Sequence, residues 1–297
     1  MHQNPSDQDI FKLIHRFEDE LEEQEVDPSK RSWEVPHLVM KALGYKNFIL
    51  GVPSISDHLF ERVRGIHQTF YRPKDIGVGG LHGGVFMFRG IATWIYIPIA
   101  YGTCAVNSLD LSDLSDNQKI WLQGRSKDFD SYNSTFHDLF DFAGAIGNLE
   151  GYERPPEASM SLLRLAAFHH QAAAATLCSA FDVRGCVQSS ILATEIAMKA
   201  SILSRIDNMD EIKNKYGHNL HKLLGKFMEY FPKANIDRMM DVIQSFPKFV
   251  ENRYSQDQPT RREAGRIAME AQFISGEVAR ALTGGSIKDS VVKKDLE

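Results

Sequence analysis

The spacing of hydrophobic residues divides the chain into helical stretches on either side of one short β-like interval. In residues 8–25, Ile10, Ile14 and Phe17 recur at helical spacing opposite an acidic face, which predicts an amphipathic helix. The interval from 76 to 106 opens with a Gly-rich loop (76–84), and its β-branched and aromatic residues predict two or three short strands. Further helical stretches are predicted at His37–Leu43, 56–70 and 116–149.

The second half of the chain is helical throughout. Adjacent prolines, Pro155 and Pro156, favour extended backbone, and we place a domain boundary in the segment 151–157. After residue 157 the pattern predicts five helices, which are separated by short breaks and by one polar loop at 205–216. The predicted helices cover 158–180, 186–204, His218–Tyr230, 235–252 and 260–282. The expected fold class is α+β, with a mixed N-terminal domain (1–150), a bundle of four to five helices (158–283) and a flexible tail (284–297).

Composition and charge narrow the functional classes. The 297 residues carry a net charge of −5, but residues 1–150 hold 14 basic and 21 acidic side chains whereas residues 151–297 hold 20 and 18. This balance argues against a protein that coats nucleic acid and leaves room for a local basic site in the second half. The apolar stretch 91–106 is short for a membrane span and contains Pro98. We therefore expect a cytoplasmic protein without membrane contact.

The chain lacks the common motifs for cofactors and metals. Gly77, Gly79 and Gly80 form a G-x-G-G run, but strand-like residues follow it instead of the helix that a dinucleotide site requires, so we interpret it as a turn or lid. His218 and His221 share a face of a predicted helix without a third ligand nearby, and the three cysteines have no C-x-x-C spacing. The sequence predicts neither a bound metal nor a cofactor.

One charged pair stands out on an otherwise apolar helix. Glu195 and Lys199 are four residues apart, among the apolar side chains of the predicted helix 186–204. Burying a charge without a partner is costly, so this pair is expected to line a cleft or an interface. A surface ion pair is the alternative interpretation.

Residues 158–283 resemble the HEPN (higher eukaryote and prokaryote nucleotide-binding) domain, a bundle of four to five helices. The resemblance is carried by four stretches in the family's order: ATEIAMKA (193–200), KYGHNLHKLL (215–224), ENRYS (251–255) and REAGRIAMEAQFISGEV (262–278). It implies a nucleotide- or RNA-binding protein, in the setting of prokaryotic defence or a toxin–antitoxin system, that forms a homodimer through its bundle. The binding residues it implies, together with basic residues at the start of the last helix, are Glu195, Lys199, His218, Arg253, Tyr254, Arg261 and Arg262.

Two alternatives to a binding module remain open at this point. Some HEPN proteins are metal-independent ribonucleases that use an R-x4-6-H motif, but Arg253 is followed at those distances by Gln258, Pro259 and Thr260. Arg164 and His169 satisfy the spacing on an earlier helix, which makes them weak catalytic candidates for a divergent ribonuclease. The second alternative is a non-catalytic scaffold whose bundle serves dimerisation or another interaction. The N-terminal half resembles no family that we can name.

Overall fold

A computed structural model describes residues 5–45, 55–71, 80–99, 106–247 and 259–287. The chain divides into two compact units, residues 1–79 (unit 1) and residues 80–297 (unit 2). We describe each unit by itself. Among the described residues, no helix combines the length and the apolar content that crossing a membrane requires.

The described residues of unit 1 form three helices, α1 (Asp7–Glu23), α2 (Pro28–Ala42) and α3 (Ile55–Gln68). Ser6 begins α1 with a capping box. Pro28 occupies the first turn of α2, where backbone N–H groups form no hydrogen bond within the helix, so that proline, which lacks an N–H, is tolerated there. The apolar faces of the helices meet in one core that includes Ile10, Ile14 and Val39. The predicted helix at 8–25 is confirmed, whereas the piece predicted at His37–Leu43 is the end of the longer α2.

Unit 2 consists of one β-hairpin and eight helices in its described part. The strands are β1 (His82–Phe88) and β2 (Ile91–Ile97), and a short 3-10 turn follows at Ser108–Leu111. The helices are α4 (Asp116–Gln123), α5 (Ser126–Gly147), α6 (Glu157–Ser179), α7 (Arg184–Ile206), α8 (Met209–Tyr216), α9 (Leu220–Tyr230), α10 (Ile236–Ser245) and α11 (Arg261–Thr283). The coarse prediction of an α+β protein is confirmed, with helices predominating.

Helix α11 is the centre of unit 2, since it packs against α5, α6, α7 and β1. Two glycines permit this close packing. A Cβ atom at Gly276 would lie 3.0 Å from the backbone of Asp138 on α5, and one at Gly265 would lie 2.2 Å from the side chain of Met87 on β1. Thr260 begins α11 with the predicted capping box, which also involves Glu263.

Both outer edges of the hairpin are occupied. On the β1 side, the buried amide of Gln272 accepts a hydrogen bond from the Val85 N–H and donates one to the Val85 carbonyl, each 2.8 Å long. On the β2 side, the Trp94 N–H donates to Asp113 Oδ1 at 2.9 Å, and Ile95 forms an isolated bridge with Ser112. Neighbouring elements thus satisfy the outward-facing backbone groups in the middle of each strand, those of Val85 on β1 and of Trp94 on β2.

The domain boundary differs from the one predicted at 151–157, because that segment lies inside unit 2. Helix α5, which precedes it, packs along α11, and the Glu153 N–H donates to the Thr283 carbonyl at 3.0 Å. The two prolines end the connection between α5 and α6, and the core continues across it, so a break in helical pattern is a poor sign of a domain boundary here.

Three local predictions also need correction. The predicted loop at 205–216 contains α8, which Asn208 caps. Helix α9 begins at Leu220 after the cap Asn219, so His218 lies outside the helix that was predicted to begin with it. Residues 284–287, predicted as the start of a flexible tail, fold back on unit 2, where the Ile287 N–H donates to Asp141 at 2.8 Å. Residues 76–79 of the Gly-rich loop and 288–297 of the tail lie outside the described residues.

Candidate functional site

Unit 2 contains a cavity of about 390 Å³ between the turn of the hairpin, α5, α10 and α11. We call it the arginine cavity, because four arginines contribute to its lining: Arg89, Arg238, Arg262 and Arg266. Its volume falls in the range of about 300–1,000 Å³ that is usual for small-molecule sites.

The hairpin turn places Arg89 at the cavity. Phe88 pairs with Ile91, which leaves Arg89 and Gly90 as a two-residue turn in which both residues have positive φ, +51° and +86°. Such a type I′ turn favours Asn, Asp or Gly at its first position, and an arginine there is uncommon. The Arg89 guanidinium lies 4.9 Å from the ring centroid of Trp121, which supports it from one side.

Neighbouring side chains hold two of the other arginines. The guanidinium of Arg238 lies 3.8 Å from the ring centroid of Phe273, a cation–π contact that restricts its orientation. Arg266 donates to Glu270 at 2.5 Å and to the Ser245 hydroxyl at 2.9 Å. Stacking and pairing of this kind reduce the conformational entropy that an arginine loses when it binds a ligand.

The charges of the lining do not cancel. Its two carboxylates are engaged, since Glu270 pairs with Arg266, and Asp138 pairs with Arg280 at 2.8 Å. Arg89, Arg238 and Arg262 form no ion pair within the described part of the chain. Among the described residues, Arg89, Arg238 and Arg262 therefore lack an acidic partner, while Asp138 shares the single cation of Arg280 with Asp141 and Glu277.

Hydroxyl groups from α5 form another part of the lining. Ser131, Ser134 and Thr135 are spaced i, i+3 and i+4, which brings them to one face of the helix. The Thr135 hydroxyl donates to the Ser131 carbonyl at 3.0 Å. Arginine side chains together with serine hydroxyls are donors suited to an oxyanion, and above all to phosphate.

Three of the predicted binding residues come together elsewhere in unit 2. Glu195 is 2% exposed, and its carboxylate accepts a hydrogen bond from Lys199 Nζ at 2.6 Å. His218 Nδ1 lies 2.9 Å from the same carboxylate, although the His218 side chain is largely exposed. The Glu195–Lys199 pair is thus buried, which excludes the surface ion pair, and the cleft or interface that the pair was expected to line stays a prediction.

The remaining predicted binding residues do not converge on one site. Arg261 and Arg262 are adjacent in the first turn of α11, but Arg261 donates to the Leu177 carbonyl at the end of α6, at 2.9 Å, while Arg262 lines the arginine cavity. Of the seven predicted binding residues, Arg262 alone belongs to the described lining of the arginine cavity. Arg253 and Tyr254 lie outside the described residues.

The weak catalytic candidates are not brought together. Arg164 forms a surface ion pair with Glu157 at 3.3 Å. His169 follows five positions later on α6, about 140° further round the helix. The spacing of the ribonuclease motif therefore does not produce an Arg–His contact in unit 2.

Sequence reasoning missed a buried histidine pair in the core of unit 2. His82 and His170 are both about 1% exposed, with ring centroids 5.9 Å apart, and Phe142 contacts each of them. His170 Nε2 is hydrogen-bonded to the Ser275 hydroxyl at 2.7 Å, whereas the ring nitrogens of His82 have no partner among the described residues. Burial lowers the pKa of His82 to about 3 and lowers the pKa of His170 well below its ordinary value.

The second missed feature is a buried charge cluster around Arg280. Its guanidinium donates to Asp138, Asp141 and Glu277 at 2.7–2.8 Å. Burial lowers the pKa of Arg280, but the three carboxylates more than compensate and the pKa is raised overall. These acidic residues lie on two helices that are distant in sequence, so no spacing rule could have grouped them.

No group of three or more histidine, cysteine, aspartate or glutamate side chains in the described ranges is arranged to hold a metal ion. Comparison of the chain with protein-family models, with curated proteins and with solved structures finds no match, and the resemblance to HEPN domains stays a prediction from the residues.

Proposed function

We propose that this protein binds a phosphate-bearing ligand, a nucleotide or an RNA, in the arginine cavity of unit 2. The observation that carries the proposal is the presence of Arg89, Arg238 and Arg262 around one concave site without an acidic partner among the described residues. Arginines that serve only stability or solubility are usually paired with carboxylates or scattered over the surface. Three that gather at a cavity repel one another unless an anion joins them.

The chemistry of the lining favours phosphate over other anions. Each arginine presents a planar fork of N–H donors that matches two phosphate oxygens, and the hydroxyls of Ser131 and Ser134 add neutral donors. The resemblance of residues 158–283 to HEPN domains supports the same ligand class by an independent route. The prokaryotic defence or toxin–antitoxin setting and the homodimer remain predictions, and light scattering of the purified chain tests the dimer.

The alternatives receive less support from the geometry. A divergent ribonuclease would use Arg164 and His169, which have no mutual contact in unit 2, or Arg253, outside the described residues, with a histidine from elsewhere; wild-type protein that fails to cleave diverse RNAs would remove this alternative. A pure scaffold does not require three exposed arginines to gather at one cavity. We therefore retain ligand binding as the function that the structure favours.

The test is a binding titration followed by fluorescence polarisation, with labelled ADP and a labelled single-stranded RNA as probes. We expect the double variant Arg89→Ala/Arg262→Ala to weaken binding of the preferred probe by about a hundredfold or more, because each lost charged hydrogen bond costs about 1.5–3 kcal/mol.

The matched control is a double variant that also removes two positive charges, but at positions outside the arginine cavity. Arg154 and Arg164 both pair with Glu157 on the exposed surface of α6. The variant Arg154→Ala/Arg164→Ala should bind within about twofold of the wild type at physiological salt, because exposed ion pairs contribute little and distant charges are screened. Equal losses in the two double variants, or no binding by the wild type, would overturn the proposal.

A further inference from the structure

We infer that the ligand of the arginine cavity carries two or more directly linked phosphates, as a nucleoside di- or triphosphate does, and that it is not an RNA strand. This inference rests on the proposed function and narrows it. It depends on the number of unpaired charges, the size of the cavity and the apolar part of its lining.

The charge of the cavity matches linked phosphates better than a phosphodiester. A terminal phosphate carries about −1.5 to −2 charges near pH 7, and a directly linked phosphate adds one more within the same small volume. An RNA backbone carries a single negative charge per nucleotide, and successive charges are separated by a ribose. Arg89, Arg238 and Arg262 have no acidic partner in the described part of the chain, and one diphosphate group offers them a higher density of negative charge than successive nucleotides of RNA do.

The size of the cavity points in the same direction. A volume of about 390 Å³ suits a single small ligand. Strand-binding proteins instead use a positively charged groove that follows the backbone and aromatic side chains on which successive bases stack. The described lining contains no aromatic side chain, since Trp121 and Phe273 contact arginines and do not themselves line the cavity.

The apolar part of the lining offers a place for a base. Met87 and Met269 lie side by side there, and the Met87 N–H is 3.3 Å from the Met269 sulfur. Thioether side chains adapt to flat rings and make favourable sulfur–aromatic contacts. Gly265 allows Met87 to lie directly against α11, because any larger residue would collide with it. The cavity thus combines a charged region for phosphates with an adaptable apolar region.

The test is isothermal titration calorimetry of the full chain at constant ionic strength. The probes are adenosine, AMP, ADP, GDP, UDP, inorganic pyrophosphate and a single-stranded RNA with a 5′-hydroxyl. We expect at least one nucleoside diphosphate to bind ten- to hundredfold more tightly than AMP, and adenosine to show no binding. Arg262→Ala should reduce the diphosphate affinity by ten- to hundredfold, and Arg262→Lys by less, because lysine keeps the charge but loses the planar fork.

A second variant tests the apolar region and guards against misfolding. Met269→Ala should weaken binding of the nucleoside diphosphate several-fold and leave binding of pyrophosphate unchanged. Unchanged binding of pyrophosphate also shows that the variant is folded. RNA binding that Arg262→Ala abolishes, with no binding of any diphosphate, would overturn this inference and leave the proposed function intact. Absence of binding by every probe would overturn both.

Discussion

The buried amide of Gln272 provides the most direct test of how unit 2 is held together. Its side chain forms two hydrogen bonds of 2.8 Å with the N–H and the carbonyl of Val85, and both residues are almost completely buried. Replacing Gln272 by Met keeps the length of the side chain and removes both hydrogen bonds. The Val85 groups would then be buried without a partner.

The expected cost follows from those two groups. A buried donor or acceptor left without a hydrogen bond costs about 1–3 kcal/mol, so Gln272→Met should lower the free energy of unfolding of unit 2 by about 2–6 kcal/mol. For a unit of this size, each kcal/mol corresponds to about 2–4 °C in the midpoint of thermal unfolding. Gln272→Glu should be at least as damaging, since a carboxylate can accept from the Val85 N–H but repels the carbonyl.

Urea unfolding followed by circular dichroism measures the loss, and hydrogen exchange of the peptide that contains Val85 locates it. Gln171→Met on α6 is the matched control, because Gln171 is half-exposed and its side chain forms no hydrogen bond with the described residues. A change below about 0.5 kcal/mol in Gln272→Met, or unaltered exchange at Val85, would refute the view that Gln272 secures the hairpin.

Three further predictions concern stability. Arg280→Met should destabilise unit 2 by about 3–5 kcal/mol in urea unfolding, because it leaves three buried carboxylates without their cation, and an unchanged midpoint would contradict this. Since burial lowers the pKa of His82 to about 3 and also lowers that of His170, the unfolded chain binds more protons below pH 6.5. The free energy of unfolding should therefore fall by up to about 1.4 kcal/mol per pH unit for each histidine as the pH drops from about 6.5 towards 3, and His82→Phe should reduce that slope. Gly276→Ala should destabilise the protein, because the added Cβ would meet the backbone of α5. Gly225→Ala should stabilise the protein by about 0.5–1 kcal/mol, because Gly225 faces open space on α9 and alanine favours a helix. If Gly276→Ala melts at a higher temperature than Gly225→Ala, the packing argument is refuted.

Most helices of this protein could be predicted from local signals in the sequence, although α8 was missed. The capping box at Thr260 and Glu263 marks the start of α11, and the Asn235 cap marks the start of α10. Domain organisation could not be predicted in this way, because it depends on which helices share a core. The tight approach of α5 to α11 at Gly276 has no local signal, so the break at 151–157 was mistaken for a boundary.

The candidate site was predictable in part. The spacing of Glu195 and Lys199 indicated a contact between them, which the structure has, and Arg262 was identified from its place at a helix start. Arg89 was not, because the hairpin that carries it is far from α11 in sequence, and Arg238 was not, because nothing in the sequence of α10 shows that it faces the same cavity. The one unusual feature of Arg89 is that an arginine occupies the first position of a type I′ turn. That turn can be recognised only after the pairing of β1 with β2 is known.

The occupied edges of the hairpin have a consequence beyond the stability of unit 2. An exposed strand offers unpaired N–H and carbonyl groups to any other extended chain, and two apolar strands such as β1 and β2 would be a strong template for such pairing. Gln272 closes one side of that template with a side chain, and Asp113 closes the other. Loss of the Asp113 closure, which lies on the exposed side of the hairpin, should therefore appear first as concentration-dependent self-association of folded protein, before any unfolding transition is reached.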